Sequence, residues 1–395
     1  MLKPDTLALT ALLALLTALG PLSTDMYLPS LPALGLSLNA TTAQVQYTLS
    51  AFLAGFAGGQ ILWGPLADRR GRKPILMAGL AIYCFASLAC AVAASIEVLT
   101  VARFFQAFGA AAPIVLARSV ARDLYEGDRA GQELARMGSF MGLVPAVAPV
   151  LGGVLELFFG WRATFFASLL FGLAAGLLVR FGLPETIKTR VTEPLTPGRI
   201  LSGFAGVWAS PVYRPHAVLV CLTYGGLFAF ISGSSFVLQS IYGLSVILYG
   251  IAFGLCAAAY VVGTLIGQRV VRRIGIAGAI RWGAVLLAAG GLLMIAGLAS
   301  GIGHPAEIVA PMMLYMVGVG IGLPQTQAGA LMPFPDRAGT ASSLTGFLQM
   351  TFGACVGIGV GHQIGATAWP LVAVIAAMGV AALVVERVSR KARGV

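Results

Sequence analysis

The chain has 395 residues, of which 58% are hydrophobic and only 10% charged, where an ordinary soluble domain carries roughly 25% charged residues. Its formal net charge is +11, yet the cations fall in short clusters between apolar runs, which excludes an extended basic surface for nucleic acid and predicts a chain threaded repeatedly through lipid. None of the four lysines (Lys3, Lys73, Lys188, Lys391) follows a glycine, so there is no G-K-[ST] phosphate loop, and no H-E-x-x-H metal motif occurs.

Many apolar stretches run about 18 to 24 residues, enough for a helix rising 1.5 Å per residue to cross a hydrocarbon core of roughly 30 Å. A helix satisfies its own backbone in lipid, and the alternating ten-residue segments of a β-barrel are missing. The expected fold class is therefore all-α integral membrane, with twelve transmembrane helices in two six-helix bundles. The predicted spans are 5–30, 44–66, 74–94, 98–120, 134–157, 163–183, 214–239, 247–269, 279–300, 306–328, 338–361 and 366–386. With the N-terminus placed in the cytoplasm, and cations at the span ends counted with the adjoining loop, 23 of the 25 Lys and Arg residues fall in cytoplasmic loops or tails. Only Arg162 lies outside and only Arg103 in the interior of a span. That asymmetry predicts cytoplasmic termini on both ends.

The first span begins after Lys3 and resembles a signal peptide, but no A-x-A cleavage site follows and the run is long enough to cross. It is read as an uncleaved helix. Near its outer end lies Asp25, between Pro21 and Pro29. An acid within a span is costly unless it faces a cavity, which makes Asp25 the candidate for proton coupling. The alternative is an interfacial acid that ends the helix.

Between the second and third spans runs Gly64-Pro65-Leu66-Ala67-Asp68-Arg69-Arg70-Gly71-Arg72-Lys73. Gly64 and Gly71 are expected to tighten the turn. Asp68 is expected to accept from a facing helix N-terminus or to pair with Arg72, forming a cytoplasmic gate that latches two bundles. A plain positive-inside loop accounts for the cations but not for Asp68. Asp123 and Arg337, both on the cytoplasmic side, are candidates to extend this gate.

In the fourth span, Arg103 cannot shed its charge and needs a carboxylate or a wet cavity; Asp25 is its expected partner, with Gln106 one turn away on the same face. Snorkelling to the outer interface is the alternative. In the fifth span, Gly138, Gly142, Pro145, Pro149, Gly152 and Glu156 fall near one face. Small residues there permit close helix approach and the prolines bend the helix, as a pivot or seal or as static packing.

The polar stretch from Pro184 to Arg214 divides the chain. The expected domains are 1–184, a cytoplasmic linker 185–213, and 214–395. A weak repeat supports two halves, since Gly267-Gln-Arg-Val-Val-Arg-Arg-Ile-Gly275 sits after the second span of its half as the 64–73 loop does. In the second half, Ser232, Phe236 and Gln239 in the seventh span and Gln325 in the tenth are candidates to line a substrate cavity or to serve as interhelical glue. The five cysteines lie in apolar segments and the three histidines are scattered, so neither disulfides nor metal sites are expected.

The 64–73 stretch resembles the G-x-L-A-D-R-x-G-R-[KR] signature of the major facilitator superfamily, with Pro65 at the variable position. Arg103-Phe-Phe-Gln106-Ala107 resembles the fourth-helix R-x-x-Q-G motif. Ala148-Pro149-Val-Leu-Gly152-Gly153 resembles the fifth-helix G-P-x-x-G-G antiporter motif; in each of these two a small alanine replaces a glycine. Ser23-Thr-Asp25-Met-Tyr27-Leu-Pro29, Gly226 to Gly233 and Gly339 to Gly346 look like the Bcr/CflA branch of drug:proton antiporters. The resemblance implies alternating access and export of small amphipathic drugs or metabolites, of the phenicol or bicyclomycin sort or amino-acid-like. It implies an acid at Asp25 contested by proton and substrate, Arg103 acting in proton release, and Tyr27 and Gln106 joining the substrate cavity. A nutrient facilitator or importer on the same scaffold is the competing expectation. The implied partners are a small-molecule substrate, protons and membrane lipid, with no cofactor, in a monomer of the bacterial cytoplasmic (inner) membrane.

Overall fold

A computed structural model describes residues 6–125, 127–187, 197–334, 337–365 and 367–390. Lys3, Lys188, Arg190, Lys391 and Arg393, counted above for orientation, lie outside the described residues, as does 188–196 of the expected linker. Among the described residues the regular structure is entirely helical.

The helices are α1 (Leu7–Asp25), α2 (Leu31–Ser37), α3 (Thr42–Arg70), α4 (Arg72–Ala91), α5 (Ile96–Leu124), α6 (Gly127–Phe159) and α7 (Arg162–Gly182), followed by α8 (Pro197–Trp208), α9 (Tyr213–Ser235), α10 (Val246–Ser300), α11 (Ala306–Leu331), α12 (Ala338–Gln363) and α13 (Trp369–Val388). Ten of the described stretches are long and apolar enough to cross a membrane. One of them, the 55-residue α10, is two crossings joined at Gly275, whose φ of 71° breaks the helix. With α6, this gives the twelve expected crossings.

Local chemistry sets the helix ends. Thr6, Ser95 and Ser245 have extended backbones, and their hydroxyls accept from Leu9 N, Val98 N and Leu248 N to start α1, α5 and α10. The first crossing is not one continuous helix, as its predicted span implied. Pro29 has no N–H for the carbonyl four residues back, and its ring crowds that carbonyl, so α1 stops at Asp25 and a tight turn over Leu28–Ser30 leads into α2. The seventh crossing ends in a wide π turn, Phe236–Ile241.

The chain forms two compact units, one of Met1–Ala40 with Tyr47–Leu195 and one of Thr41–Gln46 with Thr196–Val395. In the first, α4 packs on α5 and α7, and α1 on α5, α6 and α7. In the second, α10 packs on α11 and α13, and α9 on α11, α12 and α13. The stretch expected to be a plain linker contains α8. Phe204 and Val207 of α8 pack with Tyr213, Ala217, Ala330, Ala341 and Leu344 from α9, α11 and α12.

Burial follows the logic of lipid rather than water. In α7 the buried positions include Thr164, Phe165, Ser168, Gly172, Ala175 and Val179, while Phe166, Leu170, Leu173 and Leu177 are exposed. Apart from Phe165, which packs against Tyr27 and Trp161, mostly small side chains face the neighbouring helices, and large apolar ones face outward, where hydrocarbon receives them at no cost.

Candidate transport site

The break in the first crossing creates the site's central feature. Asp25 is the last residue of α1 and only 5% exposed. Among the described residues no ion pair or hydrogen bond engages its carboxylate. Arg103, two turns into α5, is 0% exposed. The expected Asp25–Arg103 ion pair is not formed among the described residues, and this corrects the reading of the two as partners. The guanidinium is drawn instead to carbonyl and aromatic groups closer at hand.

Arg103 Nη1 donates to the Ser23 carbonyl at 3.1 Å and to Gln106 Oε1 at 2.7 Å. Gln106 Nε2 passes the chain on to Ser87 Oγ at 2.9 Å, and Ser87 Oγ donates to the Tyr83 carbonyl at 2.7 Å. The hydroxyls of Ser23 and Tyr83 lie 2.6 Å apart. One cation thus ties α1, α4 and α5. The guanidinium carbon also sits 4.1 Å from the centre of the Phe52 ring, 4.7 Å from Tyr27 and 5.8 Å from Phe165. Ring faces carry negative potential and supply part of what a counter-ion would, worth about 2 kcal/mol or more for a desolvated pair. Arg103 Nε and Nη2 remain without a hydrogen-bond partner.

Tyr27 and Gln106, expected to line a substrate cavity, are 1% and 0% exposed and belong to this packed cluster; the Tyr27 hydroxyl lies 2.9 Å from Thr48 Oγ1. In the second unit, Ser232 is fully buried with its hydroxyl unpartnered. Phe236 opens the π turn, Gln239 donates to Ser235 Oγ at 2.7 Å, and Gln325 is half-buried in α11. Its neighbour Gln327 instead donates to Gln349 Oε1 at 3.0 Å. A groove of about 640 Å³ between α4 and α5 is lined by Ile82, Phe85, Val98, Val101 and Phe105 with Glu97 at its rim; its apolar walls suit a lipid chain.

The α6 motif residues meet the same break. Pro145 and Pro149 lie inside α6, and Gly152 and Gly153 are buried. A Cβ on Gly152 would sit 2.7 Å from the carbonyl carbon of Met26 and 2.8 Å from its Cα. Glycine is therefore what lets α6 press directly on the chain just beyond Asp25.

A second cluster lies where α3, α4 and α5 meet at the opposite end of this unit. Gly71, with φ of 105°, is the single residue joining α3 to α4. Gly64, expected to tighten that turn, instead lies within α3, because the helix continues through Pro65 to Arg70. Arg72 pairs with Asp68 one turn back and donates through Nε to Asp123 Oδ2 at 3.0 Å. Thr186 Oγ1 donates to the same Asp123 oxygen at 3.0 Å. Lys73 Nζ donates to the Arg180 carbonyl at 2.9 Å. Arg69 and Arg70 occupy the last turn of α3, and Arg337, exposed at the start of α12, belongs to the other unit.

Sequence reasoning missed Glu185. Its carboxylate accepts from Arg72 N at 2.9 Å and Lys73 N at 3.3 Å, capping α4 where Gly71 offers no side chain. An anion at a helix N-terminus meets unpaired N–H groups and the positive dipole end. The available signal was an acid directly after Pro184 in a stretch where basic residues outnumber acidic ones. Also missed was Tyr242, just past the π turn, which donates to Glu307 Oε2 at 3.2 Å. Burial, and then the adjacent Glu307 carboxylate, pushes the Tyr242 phenol up.

Two bundles of membrane-crossing helices with buried, sparsely paired charges define a secondary transporter. Residues 13–358 match the family model described as the Major Facilitator Superfamily, and the chain belongs to that family. It is 33% identical over 362 residues, 89% of this chain and 88% of the other, to an uncharacterized MFS-type transporter, YdgK, of Bacillus subtilis (strain 168). It is 32% identical over 346 residues, covering 87% and 86%, to a bicyclomycin resistance protein homolog of Haemophilus influenzae. Among solved structures it resembles a D-xylose-proton symporter with a TM-score of 0.74 at 15% identity, covering 96% of each chain, a likeness of fold alone.

Proposed function

We propose that this transporter exports small amphipathic drugs or metabolites in exchange for protons, from a bacterial cytoplasmic membrane in which both termini face the cytoplasm. One observation carries the reading: the Asp25 carboxylate is enclosed at the break of the first crossing with no ion pair or hydrogen bond to it among the described residues. A carboxylate at such depth is held at much lower cost with a proton than without one, unless a cationic or hydrogen-bonding ligand takes its place. Proton and substrate then exclude one another at Asp25. Arg103, anchored to the Ser23 carbonyl two residues away, fixes the position of the break and supplies a nearby positive field that favours release of the proton. The relative named for bicyclomycin resistance supports export as the direction.

The Asp68–Arg72–Asp123 cluster with Glu185 serves in this reading as the cytoplasmic latch. Alternating access requires such charge pairs to break and re-form as the units rock. The test is bicyclomycin-induced proton release from purified protein in weakly buffered solution. Wild type is expected to release protons on adding bicyclomycin, and Asp25→Asn to release markedly fewer while retaining its fold. Undiminished release and exchange in Asp25→Asn would remove Asp25 from the mechanism.

A further inference from the structure

Glu156 is an acid in a membrane-crossing helix that the coupling scheme leaves unused. It lies one turn beyond Gly152 on the same face of α6. Since Gly152 abuts Met26, that face carries Glu156 to the Leu28–Ser30 turn, which packs on α6 and brings Ser30 beside its carboxyl. Ser30 is 0% exposed, and among the described residues its hydroxyl oxygen and the enclosed Glu156 Oε2 have no hydrogen-bond partner. Two adjacent buried oxygens, each short of a hydrogen bond, require an explanation.

The charged and titratable groups on the elements packed against this end of α6 are Asp25, Tyr27, Glu97, Arg103 and Arg162. Arg162 is taken up by the Ala93 carbonyl at 3.0 Å and by the Trp161 ring at 4.1 Å. Arg103 is held by Ser23 and Gln106. Tyr27 is engaged with Thr48. Asp25 and Glu97 carry the wrong sign to neutralise a carboxylate. Among the described residues no cation forms an ion pair with Glu156.

We infer that Glu156 and Ser30 form a second proton-binding site, so that the transporter exchanges two protons per cycle rather than one. A proton from the outer solution converts the Glu156 carboxylate to the acid, whose O–H donates to Ser30 Oγ. When that proton leaves to water, Ser30 turns its own O–H to the carboxylate. One hydrogen bond joins the two oxygens in either state, donated by the carboxyl proton in one and by the Ser30 hydroxyl in the other, and the seat of α6 on the helix break stands between this site and Asp25. The role in the cycle rests on the antiport reading, while the proton site itself does not.

The test uses full-length protein in lipid nanodiscs, with the proton as the ligand, read by infrared difference spectroscopy between acidic and alkaline pH. A protonated-carboxyl band is expected to vanish in Glu156→Gln, persist in Asp25→Asn, and move to higher wavenumber in Ser30→Ala as its hydrogen bond is lost. Protons released per bicyclomycin bound are expected to halve in Glu156→Gln. Glu156→Gln with every carboxyl band intact, or with release unchanged, overturns the inference. Ser30→Ala with no band shift does so without depending on how Glu156→Gln folds. Loss of the Glu156 band together with undiminished release in Asp25→Asn would retire the Asp25 scheme and leave the proton site standing.

Discussion

Gly152→Ala tests how α6 seats on the break in the first crossing. The added methyl carbon would stand 2.7 Å from the Met26 carbonyl carbon, where ordinary contact begins at 3.4 Å. The obstruction is backbone, which cannot rotate aside, so α6 must retreat by about 0.7 Å or more from α1. Overpacking of this kind costs about 1–3 kcal/mol. It would also displace the residue after Asp25 and so loosen the proposed coupling site. Gly64→Ala is the matched control: its methyl would meet only Val115 Cγ1 at 3.7 Å, an ordinary contact. Alanine there also gains about 0.5–1 kcal/mol over glycine in a helix interior. The assay is thermal unfolding of purified protein. Gly152→Ala should lower the Tm, and Gly64→Ala should leave the Tm unchanged or higher. Equal stability of the two variants would refute the reasoning.

Arg72→Lys should weaken the Asp68–Arg72–Asp123 cluster by about 1 kcal/mol, because one ammonium cannot reproduce the separate Nε and Nη1 contacts to Asp123 and Asp68; an unchanged Tm would argue against it. Glu185→Ala should cost about 1 kcal/mol by uncapping α4, seen as a lower Tm that Glu185→Asp partly restores. Arg103→Met should cost about 1–3 kcal/mol, since it strips the Ser23 carbonyl and Gln106 Oε1 of a buried donor. A stable Arg103→Met protein would mean the aromatic packing, not the hydrogen bonds, holds the cluster.

The crossings were legible because hydrophobic length is set by bilayer thickness, and the α3–α4 junction because its charges sit in one short run. Asp25, expected within a span, lies buried at the end of α1, but its expected pairing does not form, since a partner depends on side-chain direction and not on sequence separation. Arg103 found Ser23, Gln106 and three rings instead of Asp25. The stop after Asp25 was encoded in Pro29, whose missing N–H reaches back four residues, yet the same proline also fits an interfacial helix end. Gly64 shows a motif position whose local role was misread: it lies in a helix, and the turn needs only Gly71. The Glu185 cap joins residues 113 apart in the chain, and α8 hides in a stretch whose prolines suggested only a connector. Tertiary neighbours decide both, and no local pattern announces them.

The elbow at Gly275 has a practical side. The two arms of α10 meet at that residue and both lie along α11, so a reporter or affinity tag spliced there would find no slack and would prise the arms apart. The exposed connector at residues 301–304, where Gly301 and Gly303 both take positive φ, has slack to accept an insertion, and a labelled transporter is better built there.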